Sequence, residues 1–141
     1  MRTSLDILLV EDNEGDVELT RRAFLNASPP VRMSVANNGN QALDFLNKQG
    51  SFEGVRTPDL ILLDINMPRM DGKQFLGVVK QDESFKAIPV VMFTSSQSPA
   101  DIRECYERHA SCYVVKPFDG REYADTLKKV VCFWGGVGQL P

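Results

Sequence analysis

The sequence predicts an α/β protein in which a five-stranded parallel sheet carries helices on both faces. Three observations lead there. Over its 141 residues the chain alternates between short apolar runs and stretches with helical spacing, five of each. The run Leu60-Ile61-Leu62-Leu63 has no polar alternation, which suits a strand covered on both faces. Polar residues stand where the runs end, and in open α/β sheets the carboxyl ends of strands are where ligands bind.

Composition narrows the class. The length fits one domain with a core of its own, and 43% hydrophobic with 25% charged residues is ordinary for a water-soluble fold. Net charge is -3 and the pI is about 5.2, so no basic footprint for nucleic acid is present. No apolar run reaches the length of a membrane span. Met1-Arg2-Thr3-Ser4 leads at once into a strand, so no signal peptide is expected. Cys105, Cys112 and Cys132 form no Cys-x-x-Cys pair and read as reduced thiols of a cytoplasmic protein, filling core or near-core positions. One histidine, His109, argues against zinc.

Leu5–Val10 is the first strand, ending in Glu11-Asp12-Asn13. A helix over about Glu14 to Ala27 places Val17, Thr20 and Phe24 on one face, and Ser28-Pro29-Pro30 stops it. Val31–Ala36 alternates, as an edge strand does. Ala42, Leu43 and Leu46 form the apolar face of the second helix, closed by Gly50, and 51–58 is a loop. After the Asp64 strand, Phe75, Leu76 and Val79 mark the third helix. Ile88–Phe93 is the fourth strand, with Pro89 near its start. Ser98-Pro99 opens the fourth helix as cap and first-turn proline, and Ile102, Cys105 and Tyr106 face inward from it. Cys112–Val115 is the fifth strand. Asp119 and Glu122 resemble a capping box for the last helix, which carries Tyr123, Leu127, Val130, Val131 and Trp134. One domain over 1–141 is expected, with an extended last helix and a frayed tail at about 133–141. Crossovers should be right-handed, and the alternating second strand belongs at an edge, as in the flavodoxin-like (βα)5 order 2-1-3-4-5.

The strand ends then bring Glu11 and Asp12, Asp64, Thr94 and Lys116 to one edge of the sheet. Crowded carboxylates raise one another's pKa, and a cation relieves them. Oxygen ligands and retained water suit Mg²⁺. With Lys116 and the Thr94 hydroxyl, the cation could hold the oxygens of a phosphoryl group while Asp64 acts as nucleophile and forms an aspartyl phosphate. Phosphoryl transfer needs positioning and charge neutralisation more than acid/base groups, so the lack of a histidine there is no objection. Each residue also has an ordinary reading. Glu11 and Asp12 favour a helix N-terminus, Asp64 and Asn66 are turn formers, Lys116 suits a solvated strand end, Thr94 is a β-former, and Tyr113 is as well explained by packing.

The series Glu11-Asp12, Asp64-Ile65-Asn66-Met67-Pro68, Asp71-Gly72, Thr94-Ser95, Tyr113 and Lys116-Pro117 resembles the receiver domain of two-component response regulators, over about residues 5–132. The resemblance implies that Asp64 is the phosphoacceptor. It implies that Asp12, Asp64 and the backbone carbonyl of Asn66 ligate Mg²⁺, with Glu11 bonding metal-bound water or ligating directly. Thr94 and Lys116 would grip the phosphoryl group, Tyr113 would turn inward with Thr94, and Lys116-Pro117 would be a cis peptide. The family often has glycine at the place of His109, which reads as an unusual helix C-cap without metal or catalytic role.

Phe133 and Trp134 lie at or beyond the usual end of the last helix. Either they close the core from below or they mark a homodimer contact, since the family commonly pairs through its fourth helix, fifth strand and fifth helix. The elongated helix ending in Phe-Trp also resembles stand-alone regulators that partner phytochromes. The expected function is that of a stand-alone response regulator in a phosphorelay. A sensor histidine kinase, of phytochrome type by that resemblance, would be its phosphodonor. It would have no output domain, no nucleic-acid or membrane partner, and only slow turnover of its own phosphate. A Mg²⁺-dependent phosphohydrolase with an aspartate nucleophile is a rival, but it would need a second carboxylate where Asn66 stands. A flavodoxin-like cofactor binder would need a phosphate loop where Glu11-Asp12 stand. A non-phosphorylated adaptor is the third alternative.

Overall fold

The computed structural model describes residues 3–141; Met1 and Arg2, which the single-domain expectation includes, lie outside the described residues. Five strands, β1 (Leu5–Val10), β2 (Val31–Ala36), β3 (Leu60–Leu63), β4 (Val90–Thr94) and β5 (Cys112–Val115), pair in parallel in the order β2-β1-β3-β4-β5. Helices α1 (Glu14–Phe24), α2 (Gly39–Leu46), α3 (Gly72–Gln81), α4 (Pro99–Glu107) and α5 (Gly120–Cys132) connect them. This is the expected doubly wound sheet. In register, Ile7 opposes Leu60, Ile61 opposes Val90, and Thr94 opposes Val115.

Successive strand residues feed two separate cores, because side chains alternate across a sheet. Leu8, Val10, Ile61, Leu63, Val90 and Met92 point to the side covered by α2, α3 and α4, where Phe45, Phe75, Leu76, Val79 and Cys105 meet them. Leu5, Ile7, Leu9, Leu60, Leu62, Val91 and Phe93 point to the side covered by α1 and α5, against Phe24, Tyr123, Leu127 and Val131. The unbroken apolar β3 follows from this: all four of its residues are fully buried.

Helix starts follow local chemistry. Asn13, Asn38, Asp71, Ser98 and Asp119 each accept backbone N–H bonds at an N-cap. The complete capping box lies at Asp71 with Gln74, which the sequence reading did not single out. Several boundaries differ from expectation. Helix α1 ends at Phe24 rather than Ala27, as Leu25 and Ala27 already make tighter turn bonds to Arg22 and Phe24. Helix α2 ends at Leu46, because Lys48 (φ 55°) supplies the left-handed turn; Gly50 (φ 58°) opens a 3₁₀ turn over Gly50–Phe52 instead. Strand β4 begins at Val90 and takes in Thr94, since Pro89 has no N–H for the ladder.

Tyr106 does not face inward: it is 48% exposed, and its hydroxyl accepts from the Tyr113 amide at 3.1 Å. His109 is the positive-φ residue (73°) that ends α4, as expected of an unusual C-cap. Cys105 is buried and Cys112 half-buried, but Cys132 is exposed. Among the described residues the one cis peptide is Ser28-Pro29, so Lys116-Pro117 is trans, contrary to expectation.

The tail also differs. Phe133–Val137 forms a π-helical turn, with Gly135 buried between Pro29 and Leu5. A Cβ on Gly135 would meet Pro29 Cγ at 2.8 Å, so only glycine permits this approach. Trp134 and Leu140 are partly buried and pack against the α1–α5 core.

Candidate functional site

The backbone ladder carries three site residues one step past their strands. The Glu11 amide donates to Ala36 O at 2.9 Å, Asp64 to Val10 O at 3.1 Å, and Lys116 to Thr94 O at 2.8 Å. Their side chains are therefore aimed by sheet hydrogen bonds rather than by loop conformation. Glu11, Asp64, Thr94 and Lys116 are all buried, between 0% and 8% exposed. Lys116 is thus no solvated strand-end lysine.

Its ammonium donates to Glu11 Oε1, to Asp16 Oδ2 at 2.9 Å and to Asp64 Oδ2 at 3.3 Å. It also stands 5.9 Å from the centre of the Phe93 ring. Burial works to lower the Lys116 pKa, but its hydrogen bonds to Glu11 and Asp16 and the charges of Asp64 and Glu11 outweigh it. The amine is held above the ordinary lysine value. Burial pushes the Glu11 carboxyl up to about 7; the charge of Asp64 adds to this, and Lys116 and the Asn13 amide oppose it.

Glu11, Asp12 and Asp64 each offer an oxygen, and these atoms lie within 4.8 Å of one another. Among the described residues no other group of His, Cys, Asp and Glu side chains has such geometry, so His109 and the cysteines stand apart. The donor set is all oxygen. Asp12 is exposed while the other two are buried, which leaves a wet side for a cation that keeps water. That chemistry fits Mg²⁺. Asn66, two residues past Asp64, is exposed in the following loop.

Beyond Thr94 the β4–α4 loop is tied to its surroundings. Ser96 Oγ and Lys73 Nζ both bond the Asp101 carboxylate, at 2.5 and 2.6 Å, and Lys73 also reaches Glu104 at 3.1 Å. The Tyr113 hydroxyl donates to the Ser96 carbonyl at 2.9 Å, so this aromatic already leans toward the loop. Phe133 (48% exposed) and Trp134 stack edge to face, with ring centres 5.0 Å apart. They border a groove formed with Cys112, Val114, Thr126 and Val130, between the β5 edge and α5.

Sequence reasoning missed Asp16 as a partner of Lys116. The only signal was its place in the first turn of α1, directly after the Glu11-Asp12-Asn13 strand end, which Glu14 shares. It also missed Phe118, fully exposed, and Leu19, 40% exposed, which flank a cleft leading to Lys116.

Comparisons with known proteins agree with this picture. The family model of the response regulator receiver domain matches residues 7–128. Response regulator Rcp1 of Synechocystis is 34% identical over 135 residues, covering 96% of this chain and 92% of that protein. The phosphorylated cyanobacterial phytochrome response regulator RcpA superposes with a TM-score of 0.93 at 34% identity, covering 98% of this chain and 99% of that one. Rcp1 in its Mn²⁺-bound form gives 0.91 at 34% identity, covering 97% and 99%. No helix among the described residues is long and apolar enough to cross a membrane. In sequence, fold and the arrangement of its strand ends, the chain belongs to the response regulator receiver domain family of two-component signalling.

Proposed function

We propose that the protein is a phosphoacceptor that takes a phosphoryl group onto Asp64 from a phosphohistidine of a sensor histidine kinase. A carboxylate oxygen of Asp64 attacks phosphorus. The new P–O bond forms as the P–N bond to the donor imidazole breaks, and the imidazole nitrogen takes a proton. The observation that carries this reading is the meeting of the Lys116 ammonium with Asp64 and Glu11 inside a buried, strand-held cluster. Glu11, Asp12, Asp64 and the backbone carbonyl of Asn66 would hold Mg²⁺, which supplies neutralisation of the charge on the transferring group. Lys116 and the Thr94 hydroxyl bind its remaining oxygens.

Thr94 then shifts toward the phosphoryl oxygens, and Tyr113, bonded to Ser96 two residues on, follows the loop. Turnover of the acyl phosphate is slow and serves as the signal's clock rather than as a separate enzyme activity. The description of RcpA as a phytochrome response regulator supports a phytochrome-type kinase as the donor, and the free thiols of Cys105, Cys112 and Cys132 support a cytoplasmic setting. The groove bordered by Phe133 and Trp134, continuous with the α4–β5–α5 face, supports a homodimer.

The test is incubation with acetyl phosphate and Mg²⁺. Intact-mass measurement should show one added phosphoryl group, which does not form when Mg²⁺ is chelated beforehand and is absent in Asp64→Asn. Labelling that survives in Asp64→Asn would overturn the assignment.

A further inference from the structure

Asp16 is the one carboxylate on Lys116 that lies outside the three-residue cation cluster. Its place is fixed from three directions. Its amide donates to the Asn13 cap at 2.9 Å, and its carbonyl accepts from Thr20 Oγ1 at 2.8 Å and from the Tyr123 hydroxyl at 3.3 Å. Thr20 and Tyr123 are buried and bond each other at 3.1 Å, so α1 and α5 together set where the Asp16 side chain begins. The side chain keeps 26% exposure, whereas Glu11 on the same ammonium keeps 2%.

This arrangement bears on a conflict within the site. Lys116 and a divalent cation want the same oxygens of Glu11 and Asp64. We propose that Asp16 is a positioning residue that gives the Lys116 ammonium a carboxylate the cation does not need. A divalent ion can then take Glu11 and Asp64 while the lysine stays beside them. The inference rests on the reading above that Glu11, Asp12 and Asp64 bind the cation. Without Asp16, Lys116 has only Glu11 and Asp64 to lean on and competes harder with the incoming ion.

The test is Mn²⁺ binding to the unphosphorylated protein, followed by electron paramagnetic resonance. The variants are Asp16→Asn, Asp16→Glu, Lys116→Met and the double variant Asp16→Asn/Lys116→Met. Glu14→Gln, which removes an exposed charge from the same helical turn, is the control for net charge. The cap and hydroxyl bonds are to Asp16 backbone atoms and persist in Asp16→Asn; circular dichroism checks the fold. Asp16→Asn should weaken Mn²⁺ binding about fivefold to tenfold beyond Glu14→Gln, in the range of coupled neighbours. Asp16→Glu should recover part of the loss. In the Lys116→Met background Asp16→Asn should cost no more than Glu14→Gln, because the residue acts through the lysine. An effect equal to Glu14→Gln in the parent, or an undiminished effect without Lys116, overturns the proposal and leaves the cation site intact. A wild-type protein that binds no Mn²⁺ overturns the cation reading and this inference with it.

Discussion

Replacing Gly72 with alanine strikes the joint between the acceptor strand and its helix. Gly72 opens α3, and its amide donates to Ile65 O at 2.9 Å. A Cβ there would lie 2.0 Å from the Asp64 carbonyl oxygen and 2.8 Å from Asp64 C and Ile65 Cα. Ordinary contact begins near 3.4 Å, so helix and loop would have to part by about 1.4 Å. The opposing atoms are all backbone, so no rotamer change relieves the clash. Overpacking costs ~1–3 kcal/mol, and a backbone clash belongs at the upper end. Alanine recovers at most ~1 kcal/mol of helix propensity. The net loss is then about 2 kcal/mol. At a urea slope of about 2 kcal/mol/M the midpoint falls by about 1 M. The fluorescence of the single tryptophan, Trp134, reports the transition. The same displacement carries Asp64 off its line with Lys116. A misplacement of about 1 Å costs about a hundredfold in rate, which acetyl phosphate labelling would read. Gly120→Ala is the control: no heavy atom lies within 4 Å of its Cβ position, and its midpoint should hold or rise. An unchanged midpoint together with normal labelling in Gly72→Ala would refute the reasoning.

Two further predictions concern the α5 side. The Tyr123 phenol is pushed up to about 12, chiefly by burial, with the charges of Asp16 and Glu11 adding and the Thr20 hydrogen bond and Lys116 opposing. Its folded pKa exceeds the unfolded value of about 10. Its contribution to stability is thus complete below pH 10 and is lost as pH rises through about 12. Ultraviolet titration of phenolate should show Tyr123, identified by Tyr123→Phe, ionising last; ionisation near pH 10 would contradict this. Phe133→Ala should weaken self-association at least about tenfold in sedimentation, as aromatic anchors do. Trp134→Ala should weaken it too, with a loss of stability because that ring packs on the core. A monomeric parent or an unchanged dissociation constant would defeat the interface.

The sheet order was legible because burial on both faces leaves a signature: β3 is four apolar residues long and Asp64 is the first polar one after it. Lys116 and Glu11 were legible for the same reason, as each sits one ladder bond beyond its strand. Asp16 was not, since α1 also displays Glu14 and Glu18, and spacing alone does not say which acid turns to the site. Tyr106 misled because α4 buries a narrow stripe, in which Cys105 alone is fully covered. The glycines after Trp134 read as a chain end. The packing of Gly135 against Pro29 joins segments about a hundred residues apart and has no local pattern. The trans Lys116-Pro117 bond departs from what the resemblance implied, while the lysine still reaches Asp64.

The most direct measurement is a crystal structure grown with Mg²⁺ and beryllofluoride, a stable mimic of the acyl phosphate. The account predicts the mimic on a carboxylate oxygen of Asp64, the cation against Glu11, Asp12 and Asp64, and the Lys116 amine and Thr94 hydroxyl on its fluorines. Beryllofluoride bound elsewhere, or an Asp64 left bare with Lys116 still on Glu11, would contradict it.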